Sequence, residues 1–362
     1  MIDYKLHIPG PVNVSEGAYN ALTTPVMGHR SPDFVDLYQK CQPLLQELFM
    51  TEDPVFLSTS SAWGVMEGAI RNLSEKKVLC CMCGAFSDKW LDVAKRCGKE
   101  ADAYSVEWGS HIEPTVLDQK LGTGEYDLVT LVHNETSCGM MNPLEEIMKV
   151  LAKYPDVLSV IDTVSSFSVV PIPKDKWGID VILTGSQKAL ALPPGLALFS
   201  VSQRAFDRAK TIDGRGYYFD FIEFLKNHEK GMTPSTPVIP LIHGLLYTLE
   251  KIFEEGINQR HNRHEKLNQM VHQWVEKKGF TLLPEQKFAS KSLTCVKNNL
   301  DMDVANFVKA LRVEKKLSID GGYGKIKGQT FRISNMGNES SESIEHLLNQ
   351  MDEILPRFIQ DC

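Results

Sequence analysis

From about residue 54 to 200, short apolar runs alternate with longer amphipathic stretches, the pattern of βα units laid onto a mostly parallel sheet. The runs 55–58, 77–82, 102–106, 128–133, 158–162, 181–184 and 196–200 read as strands. Between them 65–73, 87–97, 114–121 and 143–154 carry helical spacing, the last two opening on a proline suited to a first turn. These elements predict a large α/β domain. From Pro237 onward the texture changes to two long, charge-rich helical patterns, 240–254 and 258–277, separated by Gly256. Beyond them, strands at 293–296 and 330–334 and helices at 304–311 and 343–355 have the makings of a small α+β domain.

Composition narrows the partners. The 362 residues are 43% hydrophobic and 23% charged, enough apolar mass for more than one core. Lys plus Arg (39) against Asp plus Glu (46) gives −7, and no basic block recommends nucleic acid or an anionic membrane as a partner. The expected ligand is small. The stretch Met1 to Pro11 has neither the basic nor the apolar region of a signal peptide. No apolar run reaches the roughly 18 residues of a membrane helix. A cytoplasmic protein is expected, its eight cysteines thiols rather than a disulfide framework. Cys80 and Cys83 have the spacing of a redox or zinc pair, but they fall in a strand-like run and nothing completes a zinc set. The ending Gln360-Asp361-Cys362 is neither a peroxisomal nor an endoplasmic-reticulum address.

In an open α/β sheet, ligands bind beyond the carboxyl ends of the strands. Three polar groups fall there: the run from His133 to Gly139, Asp162, and Ser186-Gln187-Lys188. Singly, each has a bland reading as turn chemistry or solvated surface. Lys188, however, follows an apolar strand and precedes apolar and helix-breaking residues (TGSQKALALPPG). Burial there would disfavour its charged form and make the amine a nucleophile for Schiff-base chemistry. Pyridoxal phosphate also needs an acid against its pyridine nitrogen, and Asp162 ends a neighbouring strand. Ser61, Ala62 and Trp63 lead from a strand into a helix, where free amides could cradle a phosphate, although such a run usually serves only as an N-cap. Phe86 could lay an aromatic face on a ring or belong to the core. Arg332, inside the apolar run FRI, needs an anion: a substrate carboxylate or a structural ion pair. The glycine-rich Gly321 to Lys325 lacks nucleotide-loop spacing and reads as a mobile loop.

Taken in order, Pro9-Gly10-Pro11, Gly28-His29-Arg30-Ser31, the Ser/Thr turn before Trp63, His133-Asn134-Glu135-Thr136, Ile161-Asp162-Thr163-Val164, Gly185-Ser186-Gln187-Lys188-Ala189-Leu190, Pro193-Pro194-Gly195, Thr233-Pro234-Ser235-Thr236-Pro237 and Phe331-Arg332-Ile333 resemble the class V pyridoxal-phosphate aminotransferases. Within that family they look similar to the alanine–glyoxylate and serine–pyruvate enzymes. The resemblance implies a fold-type I homodimer with active sites at the subunit interface. A large domain at 21–255, its mostly parallel sheet sandwiched by helices, would be joined by a helix at 256–280 to a small α+β domain from 1–20 and 281–362. It implies pyridoxal 5′-phosphate carried on Lys188, with Asp162 at the ring nitrogen and Phe86 and Val164 on the ring faces. Ser61, Ala62, Trp63 and Gln187 would hold the phosphate, Thr136 or Ser137 would lie near the ring hydroxyl, and Thr236 or Ser235 would reach the phosphate of the other subunit. Arg332 would take the substrate carboxylate. The family's phosphate turn often reads Gly-Ser-Gly, and here it is Ser60-Ser61-Ala62.

The implied reaction moves an amino group from alanine, serine or a similar small amino acid to glyoxylate or pyruvate. Transamination of 2-aminoethylphosphonate stays open, because an anion-binding arginine serves either acid. A desulfurase or related lyase needs a mobile cysteine before the last strand, and 317–329 contains none. A nicotinamide-binding protein is disfavoured by the missing GxGxxG.

Overall fold

The computed structural model describes residues 4–359; the expectations for Met1, for the Cys362 thiol and for the terminal tripeptide lie outside the described residues. Seven strands form the main sheet: β1 (Val55–Ser58), β2 (Lys77–Met82), β3 (Glu100–Ser105), β4 (Leu128–Val132), β5 (Leu158–Asp162), β6 (Val181–Gly185) and β7 (Ala197–Val201), in the order β1-β7-β6-β5-β4-β2-β3. All pairs are parallel except those of β7, which runs antiparallel to β1 and β6. Successive side chains of a strand alternate in direction, and here they enter two separate cores. Val55, Leu57, Leu79, Val129, Leu131, Ile161, Ile182 and Leu198 pack on one face. Phe56, Val78, Leu128, Val160, Val181, Leu183 and Phe199 pack on the other. Burial on both faces is why these strands read as continuous apolar runs. The edge strand β3 is polar on its outer residues, and it begins two residues earlier than its apolar pattern predicted.

Among the helices, α1 (Pro32–Phe49), α2 (Ala62–Leu73) and α3 (Ala85–Arg96) precede β2 or follow it directly. The first lies outside the predicted elements, although its signals are plain. Ser31 caps it by accepting from the Phe34 amide at 3.4 Å, Pro32 opens its first turn, and Phe34, Leu37, Tyr38, Cys41, Leu45 and Leu48 line its buried face. Helices α4 (Ile239–Glu255) and α5 (Ile257–Lys277) are divided at Gly256, whose φ of 86° suits glycine. The far half of α5, through Leu267, Val271, Trp274 and Val275, joins a third core with the antiparallel sheet β8 (Thr281–Leu282), β9 (Leu293–Lys297) and β10 (Thr330–Ser334). Lys5–Leu6 pairs in parallel with Leu317–Ser318, so the first described residues return beside this sheet. The described cysteines are free; burial pushes the Cys80 and Cys83 thiols up to about 11 and about 12.

Candidate active site

Asp162 closes β5 and pairs with Leu183 of β6. The chain leaves β6 at Gly185 and turns sharply, with Ser186 Oγ donating to the Pro193 carbonyl at 2.7 Å. That turn sets Lys188 at the same carboxyl edge. Lys188 is buried, and its Nζ donates to the carbonyl oxygen of Pro9. The Pro9–Val12 strap lies so close that a Cβ on Gly10 would stand 2.6 Å from Lys188 Cδ, and Gly10 has φ +98°. Only glycine fits there. The Val12 amide donates to the Gln187 carbonyl at 3.2 Å, holding the strap down. Behind the turn, the buried Arg260 of α5 donates to the Ala189 carbonyl and, at 3.3 Å, to Ser168 Oγ. Ser168 and Ala191 both adopt left-handed backbone, φ 59° and 52°, a strain that the surrounding contacts must maintain.

Burial lowers the Lys188 amine to about 8, with the Arg332 charge acting in the same direction and Asp162, Glu135 and Asp320 opposing it. Asp162 is pushed the other way, up to about 7, by burial; the Val164 amide, donating to its Oδ1 at 2.8 Å, and the Lys188 charge work against the rise. Each group is poised near neutrality because each lost water without gaining a full counter-charge. His133, at Ser166 Oγ and 3.0 Å, is driven by burial to about 4 and is neutral.

Ser61 is the N-cap of α2, yet its side chain makes no capping hydrogen bond. Its hydroxyl and the unsatisfied first amides of the helix, at Ala62 and Trp63, are thus available to an anion. The neighbouring hydroxyls are occupied: Ser58 pairs with Ser60 at 2.9 Å, and Thr59 accepts from the Val238 amide at 3.0 Å. Pro234, Ser235 and the exposed Thr236 line a small cavity with Ser58, Thr59 and Tyr218, so the 234–236 segment sits beside this turn within one chain.

Phe86, in the first turn of α3, is half-buried and not part of the core. It is positioned by Glu135, a fully buried residue that the sequence assigned no role. Glu135 accepts from the amides of Phe86 (3.3 Å), Ser87 (2.8 Å) and Ser137 (3.1 Å) and from Ser137 Oγ (2.6 Å). A carboxylate at a helix N-terminus meets both free amides and the positive dipole end. Ser137 Oγ also accepts from the Ala85 amide at 2.9 Å, so its proton and one of its two acceptor sites are engaged. Thr136 Oγ1 donates to Ser165 Oγ at 2.8 Å and keeps its acceptor sites.

Arg332 is buried in β10. Its Nε and Nη2 donate to Asp320 Oδ1 at 2.8 and 2.7 Å, and Nη1 donates to the Thr136 carbonyl at 2.8 Å. Of its five N–H groups, one remains on each terminal nitrogen, which suits an incoming carboxylate. Asp320, like Glu135, went unmarked by the sequence reading; its signal was an acid directly ahead of a glycine pair. Asp320 Oδ1 also accepts from Gly322 at 2.8 Å, tying the glycine loop to the arginine. In that loop Tyr323 stacks on Phe86, centroids 5.3 Å apart and planes at 25°, and lies 5.4 Å from the Arg332 guanidinium.

The sequence family described as aminotransferase class-V matches residues 16–346. An uncharacterized aminotransferase of Methanocaldococcus jannaschii is 37% identical, over 92% of this chain and 87% of its own length. A serine–glyoxylate aminotransferase of Methylorubrum extorquens is 32% identical over 94% of this chain and 88% of its own. The crystal structure of alanine–glyoxylate aminotransferase from Nostoc sp. superposes with a TM-score of 0.93 at 28% identity, covering 98% of this chain and 96% of that one.

Proposed function

The chain belongs to the class-V aminotransferases, an enzyme family, and from that premise we propose that it transfers the amino group of a small amino acid such as alanine or serine to glyoxylate or pyruvate, with pyridoxal 5′-phosphate as cofactor. One observation carries the reading: a buried amine lowered to about 8 shares the field of a buried acid and of an arginine with two N–H groups to spare. The donor set fits the cofactor. Among the described residues one amide, that of Val164, donates to Asp162, which leaves carboxyl acceptor sites for a protonated ring nitrogen, and the Ser61 side chain makes no capping hydrogen bond and could turn to a phosphate.

When bound, pyridoxal phosphate supplies an electrophilic aldehyde and an electron-withdrawing ring. Lys188 would hold it through Nζ and would then move a proton at that atom; an amine lowered to about 8 is readily neutral and therefore nucleophilic. Asp162 would meet the ring nitrogen, Phe86 and Val164 would flank the ring, and Thr136 would lie near its hydroxyl. Ser61, Ala62, Trp63 and Gln187 would take the phosphate, joined by Thr236 of a second copy of the chain. Arg332 binds the substrate carboxylate and so orients the bond at the α-carbon. The Pro9–Val12 strap keeps water from Lys188.

We further place the enzyme in the cytoplasm as a homodimer; the described residues include no helix long and apolar enough to cross a membrane. The reading divides the chain into a large domain at 21–255, a connecting helix at 256–280 and a small domain from 1–20 and 281–362. A panel of alanine, serine, glycine and 2-aminoethylphosphonate against glyoxylate and pyruvate tests the substrate assignment. Turnover with alanine or serine is expected, and turnover with the phosphonate alone would overturn it. Mixing subunits carrying Thr236→Val with subunits carrying Ser61→Ala should restore some activity through one undamaged pocket per mixed dimer. No recovery after proven subunit exchange would remove Thr236 from the neighbour's site.

A further inference from the structure

We propose that Tyr323 is the wall that limits donor size, its ring standing between Phe86 and Arg332 so that only amino acids with short side chains can place their carboxylate on the arginine. The inference rests on the small-acid reading above and deepens it.

Arg332 and Phe86 come from different elements, β10 and the first turn of α3, and Tyr323 touches both. Stacking on the one and the cation–π contact with the other hold the ring against the guanidinium that would receive the carboxylate, so that the ring borders the space beside that carboxylate. Yet Tyr323 is 44% exposed. A large aromatic that is half in water, while lying over an arginine that is only 3% exposed, is not there to fill a core.

The backbone behind it is built to hold this position. Gly322 and Gly324 have φ +90° and +54°, left-handed conformations that glycine adopts without strain and that set the path of the loop on either side of the tyrosine. The Gly322 amide is tied to Asp320 Oδ1, the oxygen that also receives Arg332. On the far side Lys325 Nζ lies 4.5 Å over the Trp108 ring, and Trp108 Nε1 donates to Asp88 of α3 at 3.0 Å. A Cβ on Gly324 would come within 3.0 Å of the Trp108 ring, so the loop is backed against that indole. Tyr323 therefore sits in a loop with contacts at both ends, to Asp320 on one side and to Trp108 on the other.

The test uses cofactor-loaded wild-type protein and the variants Tyr323→Ala, Tyr323→Phe and Arg332→Lys. Calorimetry with amine-free acids (acetate, isovalerate, phenylacetate) reads binding apart from turnover, and kcat/KM is measured in parallel for alanine and leucine. Tyr323→Ala should shift both the acetate-to-phenylacetate affinity ratio and the alanine-to-leucine ratio toward the larger ligand by about tenfold or more, the range that a pocket wall commands. Tyr323→Phe, which keeps the ring, should hold the wild-type ratios, and Arg332→Lys should weaken all three acids together. Unchanged ratios in Tyr323→Ala, or acid binding that ignores Arg332, overturn the proposal. Shifted acid ratios with no alanine turnover by the wild type would instead defeat the small-acid donor assignment and leave Tyr323 in place.

Discussion

Two lysines lie buried at opposite edges of the same sheet, and they have been given opposite fates. Lys174, in the short helix Lys174–Trp177 ahead of β6, is 1% exposed and forms ion pairs with Asp53 and, at 3.3 Å, with Asp175. Lys188, three residues beyond the other end of β6, is 8% exposed and donates to a neutral carbonyl; among the described residues it forms no ion pair. Burial alone does not make a reactive amine. What matters is whether the chain supplies a counter-charge in direct contact, because that contact offsets part of the lost hydration and occupies the ammonium group. Arg332 is a middle case: equally dry and partly neutralised by Asp320, yet with donors left over. The amino edge thus holds its buried amine in ion pairs, and the carboxyl edge leaves a buried amine and part of a guanidinium without a contacting counter-charge, as the proposed chemistry needs.

Exchanging the two lysines' roles by mutation is the sharpest way to break this contrast. Lys188→Ala should lower turnover at least about a thousandfold with little change in unfolding by denaturant. Lys174→Ala should cost about 2–3 kcal/mol of stability, the worth of hydrogen bonds to charged groups, and retain turnover per folded molecule. Loss of turnover in Lys174→Ala without loss of stability would contradict the division. Arg332→Lys should raise KM for carboxylate substrates about tenfold, since a lysine cannot present two parallel donors. An unchanged KM would remove Arg332 from the substrate site.

The smallest effect is in the pH dependence of the cofactor-free protein. The folded Lys188 amine sits near 8, below its ordinary 10.5, so between those values the unfolded chain binds more protons and stability rises with pH. Below 8 the buried charge is a full burden. Lys188→Met should therefore be the more stable protein below pH 8, and the difference should fade between pH 8 and 10.5. A difference that grew with pH would have the wrong sign for this cause.

Much of this was legible in the chain itself, and for identifiable reasons. The central strands announce themselves because both faces are buried, and Lys188, Asp162 and Arg332 stand at strand ends or in a strand where a polar residue is costly. The closure of the site was not legible. Pro9 covers Lys188 from 179 residues away, and the Thr136 carbonyl meets Arg332 across 196. Lys174 meets Asp53 across 121, so nothing local distinguishes it from a surface lysine. Asp320 and Glu135 sit near residues that were singled out, but their roles depend on which amides and guanidinium the fold turns toward them. The loop at 321–325 reads as mobile from its glycines, and its anchoring by Trp108 comes from a separate segment.

Lys188, and no other buried amine, is proposed to carry the cofactor. Borohydride reduction of the protein loaded with pyridoxal phosphate, followed by peptide mass mapping, tests it directly. A single pyridoxyl adduct at Lys188 is the predicted result. An adduct at Lys174 or any other lysine in place of Lys188, or none at all, would contradict the account.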